Sequence, residues 1–484
     1  MADRYDVLII GAGVVGCAVA RELSRYRLRI CVLEKELDVA CGNSSRNSGV
    51  LHGGFTYRKG SLKALCCVEG NREFDAVAEE LGVPFRRSGK LVVGFTDQDR
   101  ASLESFKAVG EGNGAVGLEM VDRKRLNELD SSAGGEFAMY SPSSGILDPM
   151  AYTIALAENA GQNGADFFFD REVTGIIRRD GMHEVTATGD TFTTRWVVNA
   201  AGLNSARISA MLGIGGYVIR GFKGEYIILD KKAGAFLNMP VYPAPNPKGG
   251  FATHATPTVH GNVLIGPDSY ITEDFDDFSV TRKQMDGLVA DGLKMFAQVK
   301  REYFIRSFAG IRPKLVDPAT GEILDFVCEA RREAPNTINL VGIESPGLTS
   351  ALPLARRAVA LMAERERLVP NPAFEPRRKA PLRFSEQDLA GKKKLIEQDP
   401  DYGEIVCRCE CVTKAEILKA IRNPLGVCTV AAIKNRTRAT MGRCQGGYCE
   451  TRIAKLIQDE TGRRVTEVLF NLKGSAMFTG RVRE

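Results

Sequence analysis

Residues 4–34 read RYDVLIIGAGVVGCAVARELSRYRLRICVLE, and this stretch decides the fold of the first part of the chain. The apolar run 5–10 predicts a buried strand, and the glycine motif GAGVVG at 11–16 follows it directly. A helical pattern covers 14–26, and a second apolar run at 28–33 predicts the next strand. Strand, glycine turn, helix and strand together form a βαβ unit, which predicts an α/β protein with a parallel sheet.

The three glycines of this motif have separate tasks at a nucleotide site. Gly11 makes the tight turn, Gly13 lets the backbone approach a pyrophosphate, and Gly16 lets the helix pack closely on the strand. The helix N-terminus then faces the anion. Glu34 ends the second strand, 18 residues after Gly16, where a carboxylate accepts from a ribose hydroxyl. The pattern predicts a Rossmann-like dinucleotide site, and by itself it leaves FAD and NAD as alternatives.

The composition is ordinary for a soluble globular protein: hydrophobic residues make up 44% of the 484 residues and charged residues 26%. A chain of this length exceeds one hydrophobic core, so two or three domains are expected. No apolar run approaches the roughly 18 to 20 residues that cross a bilayer, which leaves peripheral association with a membrane open. The apolar stretch at 7–10 is too short for a signal peptide and is flanked by Asp3 and Asp6, so we expect a cytoplasmic protein.

Cysteine and positive charge are both concentrated near the C-terminus. Six of the twelve cysteines lie between 407 and 449, and such a cluster in a cytosolic protein indicates metal or redox chemistry before disulfides. Residues 371–484 contain 22 Lys and Arg against 14 Asp and Glu, whereas the rest of the chain contains 43 against 46. Because acids are interspersed with the basic residues, this part favours an acidic protein partner or simple solubility over nucleic acid.

The remaining pattern alternates helices and strands and includes one linker. Helical periodicity covers 61–81, 97–110, 150–164 (begun by Asp148 and Pro149) and 352–367. Short strands are predicted over 166–198, an antiparallel sheet over 217–269 and one strand at 338–344. Proline and charge without periodicity predict a linker from about 369 to 401.

Four further segments resemble the flavin-contacting segments of the D-amino-acid-oxidase-like FAD superfamily. They are GNSSRNSGVLHGG (42–54), VVNAAG (197–202), AGIRPK (309–314) and VGIESPGLTSALP (341–353). Within that superfamily the chain is similar to glycerol-3-phosphate dehydrogenases and to L-2-hydroxyglutarate dehydrogenases or oxidases over roughly residues 4–370. Several short motifs recur in order, and the resemblance implies FAD in place of NAD.

By this resemblance a single FAD lies extended along the chain. Glu34 takes the adenosine ribose, and the segment Ser44–Arg46 lies along the pyrophosphate and flavin. Gly347–Thr349 donate N–H groups near the flavin pyrimidine. The implied cofactor residues are Gly11, Gly13, Gly16, Glu34, Lys35, Ser44, Ser45, Arg46, Ser48, Val173, Ala201, Gly202, Gly347, Leu348 and Thr349.

Two of the four histidines are candidates for the substrate site. Oxidation of a secondary alcohol needs a base for the hydroxyl proton. By the resemblance His52 lies beside the isoalloxazine, and His254 lies on a sheet segment that faces it. His183 is expected in an exposed turn, and His260 in a structural hairpin turn.

Arg312 is the main candidate for binding an anionic group of the substrate. Its planar guanidinium matches a carboxylate or phosphate, and the resemblance places an arginine of this segment on that group. An arginine paired with a nearby acid is the alternative. Weaker candidates are Lys223, Tyr57 and Lys63.

The substrate itself has two candidates, sn-glycerol 3-phosphate and L-2-hydroxyglutarate. Each carries an anion near a secondary hydroxyl. The cysteine module favours the first, because anaerobic-type glycerol-3-phosphate dehydrogenases carry one. The segment 48–71 and the motif GKLVV at 89–93 resemble hydroxyglutarate enzymes and favour the second.

The cysteine module resembles the bacterioferritin-associated-ferredoxin-like [2Fe-2S] domain. Cys407 and Cys409 are separated by one residue, and Cys444 and Cys449 by four. Four thiolates suit a [2Fe-2S] cluster. Structural zinc is the alternative, but it prefers two to four residues between paired ligands, so the first pair is too tight. Cys411 could replace Cys409, although the resemblance favours Cys409.

The resemblance implies a discontinuous domain plan of class α/β, or α+β overall. A Rossmann-like FAD-binding domain takes 1–85, 150–215 and 320–370, and an inserted antiparallel-sheet substrate domain takes 86–149 and 216–319. A linker (370–402), a small helical [2Fe-2S] domain (403–466) and a tail (467–484) follow.

Together these parts predict a dehydrogenase that passes electrons from FAD through the cluster to another protein. An oxidase would use O₂ and need no cluster. Since no second GxGxxG motif is present, NAD is not expected as the direct acceptor, and a partner flavoprotein or a quinone-linked complex is implied. The rival hypothesis is a non-catalytic electron-transfer or scaffold subunit.

Overall fold

The computed structural model describes residues 4–245 and 251–480. Its helices are α1 (Val14–Leu23), α2 (Leu62–Leu81), α3 (Asp97–Asn113), α4 (Arg123–Leu129), α5 (Pro149–Gln162), α6 (Ser205–Met211), α7 (Lys231–Gly234), α8 (Arg282–Met295), α9 (Gly347–Ala363), α10 (Leu389–Gln398), α11 (Lys414–Ile421), α12 (Val430–Thr437) and α13 (Glu450–Thr461). Its strands are β1 (Arg4–Ile10), β2 (Ile30–Leu33), β3 (Val50–Leu51), β4 (Phe85–Arg86), β5 (Lys90–Gly94), β6 (Glu119–Asp122), β7 (Phe137–Ser141), β8 (Gly145–Leu147), β9 (Ala165–Phe168), β10 (Val173–Arg179), β11 (Met182–Ala187), β12 (Asp190–Asn199), β13 (Val218–Leu229), β14 (Val241–Pro243), β15 (His254–Pro257), β16 (Val263–Gly266), β17 (Tyr270–Thr272), β18 (Phe304–Val316), β19 (Val327–Glu329), β20 (Thr337–Val341), β21 (Ile405–Cys407) and β22 (Val412–Thr413).

The first sheet carries the predicted βαβ unit. β1 lies between β2 and β12 and pairs with both in parallel, and β9 and β20 extend the parallel part. β10 and β11 add an antiparallel edge. The strands β1, β2 and β12 therefore end at one edge of the sheet, the edge where α/β sheets bind their ligands.

The glycine turn brings α1 close to β1. Gly11 has a φ of +103°, a conformation that favours glycine. A Cβ at Gly16 would collide with the carbonyl oxygen of Gly11. The helix continues with Cys17–Ala20, which are fully buried. These small side chains allow the N-terminus of α1 to point along the sheet toward its ligand-binding edge.

The second sheet combines strands from two separate stretches of the chain. Its order is β17-β13-β16-β15-β14-β5-β7-β6, and β18 pairs with β13. All of these pairings are antiparallel except that of β14 with β5. β5–β7 belong to the predicted segment 86–149 and the other strands to 216–319. The fold class is confirmed, and the domain boundaries stay a prediction.

The helix predicted at 352–367 begins earlier, at Gly347, and ends at Ala363. Pro353 lies inside its second turn, and proline has no N–H for the carbonyl four residues before it. That carbonyl belongs to Thr349, and it lies against Gly70 of α2, where a Cβ would collide with it. Sequence reasoning placed the start of this helix near Pro353. In the structure Gly70 of α2 leaves room for the Thr349 carbonyl, which lacks its helical hydrogen bond, and the helix begins at Gly347.

The predicted linker 370–402 is packed against the first domain and contains a helix. Asn159 donates to the carbonyl of Glu375 (3.0 Å), and the guanidinium of Arg378 lies 2.6 Å from the Glu158 carboxylate. α10 begins after Asp388, which accepts from the N–H of Gly391. The expectation of an aperiodic linker was therefore wrong for Leu389–Gln398.

The C-terminal part is a small helical unit with its own core. α11, α12 and α13 bury Ile417, Ile433 and Ile453 against one another. Arg436 of α12 fixes this unit to the first domain through two hydrogen bonds to the carboxylate of Asp38, at 2.7 and 3.0 Å. Each of these side chains is only 5% exposed. The cysteine module therefore has a buried, ionic attachment to the nucleotide-binding domain.

His183 was expected in an exposed turn, and this expectation was wrong. The turn is formed by Asp180 and Gly181, which have positive φ angles, and β11 begins directly afterwards at Met182. His183 is 3% exposed, and its Nε2 lies 3.2 Å from the carbonyl oxygen of Pro335.

Among the helices of residues 4–245 and 251–480, none is long and apolar enough to cross a bilayer.

Candidate active site and cluster site

One cleft of about 840 Å³ runs from the glycine turn to the second sheet. It extends past the carboxyl ends of β1, β2 and β12, as expected for a ligand site in an α/β fold. The predicted residues that line it are Gly11, Gly13, Glu34, Lys35, Ser44, Arg46, Ser48, His52, Val173, Ala201, Gly202, His254, Arg312, Gly347 and Leu348. The structure therefore brings the predicted cofactor and substrate residues together around one space.

Three predicted cofactor residues lie outside the cleft wall. Gly16 packs against the turn, as described above. Ser45 donates to the carbonyl of Gly42 (3.3 Å). Thr349 is buried, and its hydroxyl accepts from the backbone N–H of His52 (3.0 Å). Gly16, Ser45 and Thr349 therefore contact and position residues next to the cleft and do not line it themselves.

Glu34 supports the nucleotide end of the cleft. Its carboxylate accepts from the backbone N–H of Ala12 at 2.7 Å and from that of Glu36 at 3.0 Å. Burial raises the pKa of this carboxyl. A carboxylate oxygen accepts more than one hydrogen bond, so Glu34 can hold the glycine turn and still accept from a ribose hydroxyl.

The N-terminus of α1 and Arg46 fit a pyrophosphate. Ser44 accepts from the N–H of Val14 at 2.9 Å, which brings its hydroxyl to the helix N-terminus. The guanidinium of Arg46 lies 4.2 Å from the ring centre of Phe278, and its buried Nε has no hydrogen-bond partner among the described residues. The cleft wall thus contains both a helix N-terminus and a guanidinium with an unpaired Nε, and both groups suit a diphosphate.

His254 lies at the far end of the cleft, at the start of β15. Its ring stacks on Tyr242, with 3.7 Å between ring centres, and its Nε2 lies 3.2 Å from Oγ of Ser48. Burial first, and the charge of Lys90 second, hold the pKa of His254 well below its usual range. The imidazole is therefore neutral near pH 7 and has a nitrogen that can accept a proton.

His52 lies on the loop after β3 and faces the same space. Its Nε2 lies 3.3 Å from Oγ of Ser345, and its carbonyl accepts from the amide of Asn71 (2.9 Å). Burial, followed by the charge of Lys90, lowers the pKa of His52 to about 3. Two neutral imidazoles thus line the candidate substrate end.

Arg312 belongs to a cationic group at this end. It donates to the carbonyls of Phe222 (3.2 Å) and Asp268 (3.0 Å) and forms no ion pair within 4 Å among the described residues. Lys314 also lines the cleft. Lys314 and Lys63 lie 3.3 and 3.0 Å from the carboxylate of Glu344. Arg312 also acts electrostatically on the carboxylate of Asp268. Three cations therefore face two carboxylates, those of Glu344 and Asp268, and one positive charge remains for an anionic ligand.

The weaker candidates are divided by the structure. Tyr57 lines the cleft, and burial raises its pKa well above the usual range. Lys63 meets the cleft only through Glu344. Lys223 is buried and pairs with Asp277 at 2.7 Å, outside the cleft wall. His260 is also occupied, with its Nε2 2.8 Å from the Asp148 carboxylate at the start of α5.

Sequence reasoning missed Lys90 and Lys314. Lys314 stands two residues after Arg312 in AGIRPK, so its strand position could have revealed it. Lys90 is 1% exposed, and its Nζ has no hydrogen-bond partner among the described residues. It lies 3.4 Å from the ring centre of Tyr242 and about 5 Å from two phenylalanine rings. Only the second sheet, which places β14 between β5 and β15, shows that Lys90 and His254 flank Tyr242.

The four predicted thiols form two contacting pairs. Cys407 is hydrogen-bonded to Cys449, and Cys409 to Cys444. The hydrogen bond within the Cys407–Cys449 pair lowers the pKa of Cys407 and raises that of Cys449, so Cys407 is the first thiol of this pair to ionise. Cys411 is exposed, and its Sγ lies 3.7 Å from the carbonyl oxygen of Arg408.

The backbone around these sulfurs is shaped to receive negative charge. The N–H of Thr440 is directed at both Cys407 and Cys449, and Thr440 has a φ of +73°. Such turns create concave sites for anions and iron–sulfur groups. Gly442 lies so close to Cys409 that a Cβ would collide with it.

Two thiol pairs fit two irons better than one zinc ion. In a [2Fe-2S] cluster four thiolates are shared between two irons. Cys407, Cys409, Cys444 and Cys449 are therefore the residues that would hold the cluster.

Comparison with known proteins agrees with both sites. The model of the FAD dependent oxidoreductase family matches residues 6–415. The chain belongs to this family. The model of the BFD-like [2Fe-2S] binding domain matches residues 405–459. FAD and a [2Fe-2S] cluster are thus the cofactors of this oxidoreductase, and the predicted cofactors are confirmed.

The similar proteins include two kinds of dehydrogenase. The oxidoreductase is 36% identical over 479 residues to the glycerol 3-phosphate dehydrogenase of Caloramator mitchellensis, covering 98% of each chain. It is 30% identical over 397 residues to the L-2-hydroxyglutarate dehydrogenase of Escherichia coli K12, covering 74% of this chain and 92% of the relative. A solved L-α-glycerophosphate oxidase from Mycoplasma pneumoniae, with FAD bound, is 28% identical with a TM-score of 0.73, covering 78% of this chain and all of the other.

Proposed function

We propose that the protein is a dehydrogenase that oxidises sn-glycerol 3-phosphate to dihydroxyacetone phosphate. The observation that carries this proposal is the similarity to a glycerol 3-phosphate dehydrogenase over 98% of both chains, the C-terminal unit included. The excess cations at the substrate end of the cleft support it, since they suit a phosphate dianion.

The cleft residues supply the binding and proton-transfer functions that this reaction needs. Arg312 and Lys314 bind the phosphate and direct the secondary hydroxyl toward His52 and His254. One of these neutral imidazoles accepts the hydroxyl proton, and the buried wall excludes water. FAD, when bound, supplies the acceptor for the hydride.

The cluster unit supports a protein or quinone-linked complex as the final electron acceptor. The two thiol pairs lie in a unit attached to the nucleotide-binding domain by the Arg436–Asp38 pair. An enzyme that reduces O₂ directly has no need of such a unit. The cytoplasm remains the compartment that we propose from the sequence.

L-2-hydroxyglutarate is the second candidate substrate. The observation in its favour is the 30% identity to a hydroxyglutarate dehydrogenase over the first domains. The same cationic group suits a carboxylate. This relative matches 74% of the chain, whereas the glycerol 3-phosphate dehydrogenase matches 98% of it.

Anaerobic titration of the flavin absorbance tests both substrates. We expect sn-glycerol 3-phosphate to bleach the flavin and L-2-hydroxyglutarate to leave it oxidised at equal concentration. Arg312→Gln should raise the concentration needed by roughly 30-fold or more, because truncating one partner of a charge pair costs about 2 kcal/mol or more. Arg220→Gln, on the neighbouring strand and outside the cleft, is the matched control. Bleaching by hydroxyglutarate alone would support the second candidate, and bleaching by neither substrate would support a scaffold subunit.

A further inference from the structure

The four thiols differ in their access to solvent. Cys407 and Cys449 are buried, whereas Cys409 and Cys444 are exposed. One side of the thiol group therefore faces the interior and the other forms part of the surface. We call the exposed side, comprising Arg408, Cys409, Arg443, Cys444, Tyr448 and Arg452, the cluster edge.

The exposed charges of the cluster edge are all positive. In the segments 407–411 and 442–452, the exposed ionic side chains are Arg408, Arg443 and Arg452. Glu410 pairs with Arg438 at 3.0 Å and Lys231 at 2.9 Å. Glu450 is half-buried and acts electrostatically on Lys434. Arg443 lies 3.6 Å from Asp230, which partly offsets its charge. The exposed side chains around the two thiols therefore have a net positive charge.

The ring of Tyr448 contacts two of the arginines of the cluster edge. The guanidinium of Arg408 lies 4.3 Å from the centre of its ring, and that of Arg452 lies 4.8 Å from it. Cation–π contacts of this kind hold arginine side chains in place without neutralising them. Tyr and Arg are also the residues that most often supply the binding energy of protein interfaces.

We propose that the cluster edge is the docking surface of an acidic electron-carrier protein. This proposal rests on the proposed function, because it assumes that electrons leave the chain through the C-terminal unit. Charge complementarity supplies the argument for the partner: opposite potentials raise association rates and orient the encounter. The exposed sulfurs place the redox group beside the arginines, so a carrier bound there lies close to it.

The test uses the holoprotein and a small acidic flavodoxin as the probe, with basic cytochrome c as the opposite probe. Dithionite reduces the holoprotein, so that the outcome does not depend on the alcohol substrate. We expect measurable binding to flavodoxin by calorimetry at 0.05 M NaCl, weakening by roughly tenfold or more at 0.5 M. The rate of flavodoxin reduction should fall in parallel, and cytochrome c should show no such weakening.

Paired charge reversals locate the surface. Arg408→Glu/Arg452→Glu should weaken flavodoxin binding by roughly tenfold or more, and Arg408→Gln/Arg452→Gln by less. Lys393→Glu/Lys394→Glu on α10 makes the same change in net charge at exposed positions of another face, and it should leave binding unchanged. Iron content and visible absorbance confirm that the cluster is intact in each variant.

The outcomes separate this proposal from the proposed function. It is overturned if wild-type protein does not bind flavodoxin, if the arginine variants bind as tightly as wild type, or if the lysine variant weakens binding equally. None of these results bears on flavin bleaching by sn-glycerol 3-phosphate, which is measured without a carrier. Conversely, a failure of that substrate leaves the docking measurement intact.

Discussion

Lys90 is a buried cation without a counter-charge, and it lies behind the wall of the candidate active site. Its Nζ contacts the face of Tyr242, whose other neighbour in the second sheet is His254. Burial lowers the pKa of Lys90 to about 7. The charge of Lys90 is also the second cause of the low pKa values of His52 and His254. Two consequences can be measured.

The first consequence concerns stability. In the unfolded chain a lysine has a pKa near 10.4, against about 7 for Lys90 in the fold. Between these values the unfolded state binds a proton that the folded state lacks, so wild-type stability rises with pH. Methionine has no proton to lose. We therefore expect Lys90→Met to be more stable than wild type at pH 7, by on the order of 3 kcal/mol, with the advantage shrinking toward pH 10.

Urea unfolding of both proteins at pH 7 and pH 10 measures this difference. Lys455→Met is the matched control, since the Lys455 side chain is 70% exposed, and its difference from wild type should not change in the same way. A Lys90→Met variant that is less stable than wild type at pH 7 would show that its aromatic contacts outweigh the cost of burying the charge.

The second consequence concerns the pH dependence of activity. Removing the charge of Lys90 raises the pKa of His52 and His254, which remain lowered by burial. A base loses activity as the pH falls through its pKa. We therefore expect the acid limb of the kcat/KM profile of Lys90→Met to lie at higher pH than that of wild type. Lys90→Arg should keep the wild-type profile if it folds, and an unchanged profile in Lys90→Met would show that the lysine acts only through packing.

At the residue scale, the sequence predicted which residues of the motifs line the cleft better than it predicted which side chains contact one another. The histidines His52 and His254 and the cation Arg312 all line the cleft, because each stands in a segment whose strand or loop position is set locally. Lys90 could not be predicted, since its environment depends on β14 and β15, about 150 residues further along the chain. The expectation for His183 was wrong because the turn ends at Gly181 and β11 begins at Met182, before His183 is reached.

At the element scale, helix boundaries were predicted well where a capping residue marks them. Asp148 accepts from the N–H groups of Met150 and Ala151 at the start of α5, and Ser61 from that of Ala64 at the start of α2. α9 has no side-chain cap, and its early proline resembles a break. Its true start depends on packing against α2, which the local sequence does not show.

Arg436 of α12 attaches the cluster unit to the nucleotide-binding domain through buried ionic contacts, of which the pair with Asp38 is the shortest. Arg436 and Asp38 are almost fully buried, and Asp38 directly precedes the loop that carries Ser44 and Arg46. Removing one partner leaves an uncompensated buried charge, which costs about 3 to 5 kcal/mol. We expect Arg436→Met to lose roughly this amount of stability, measured by urea unfolding of the apoprotein.

The double variant Arg436→Met/Asp38→Leu is the control for this prediction. Replacing a buried ion pair by apolar side chains is often neutral, so the double variant should recover much of the lost stability. Glu158 lies 3.6 Å from Nε of Arg436. Because both variants remove this cation from Glu158, part of the loss of stability remains in each of them. Equal losses in the single and double variants would place the cost in packing and not in the charge of Asp38.

At the scale of the whole molecule, the order of domains followed from composition and motifs. The glycine motif marks the first domain and the cysteines mark the last, because each motif needs few residues that are close in sequence. The attachment between the two could not be predicted, since it depends on single ionic pairs such as Arg436–Asp38. The region predicted as a linker is packed against both α1 and α5. These contacts could not be predicted either, because they join side chains that are far apart in sequence.

The proposed function has two half-reactions, oxidation of the substrate by the flavin and transfer of electrons through the cluster to a carrier. Substitutions in the thiol pairs allow the two to be measured separately. Cys444→Ser removes one thiol of the Cys409–Cys444 pair at the surface and leaves every residue that lines the cleft unchanged. We expect the iron content to fall and electron delivery to an acidic carrier to drop by roughly tenfold or more, while sn-glycerol 3-phosphate still bleaches the flavin without oxygen. Cys411→Ser, an exposed cysteine of the same module outside both pairs, should keep iron and electron delivery. Iron analysis, anaerobic titration and carrier reduction on the three proteins measure this. Loss of flavin bleaching in Cys444→Ser would mean that the cluster unit supports the substrate site itself, because the two half-reactions would then depend on one structure.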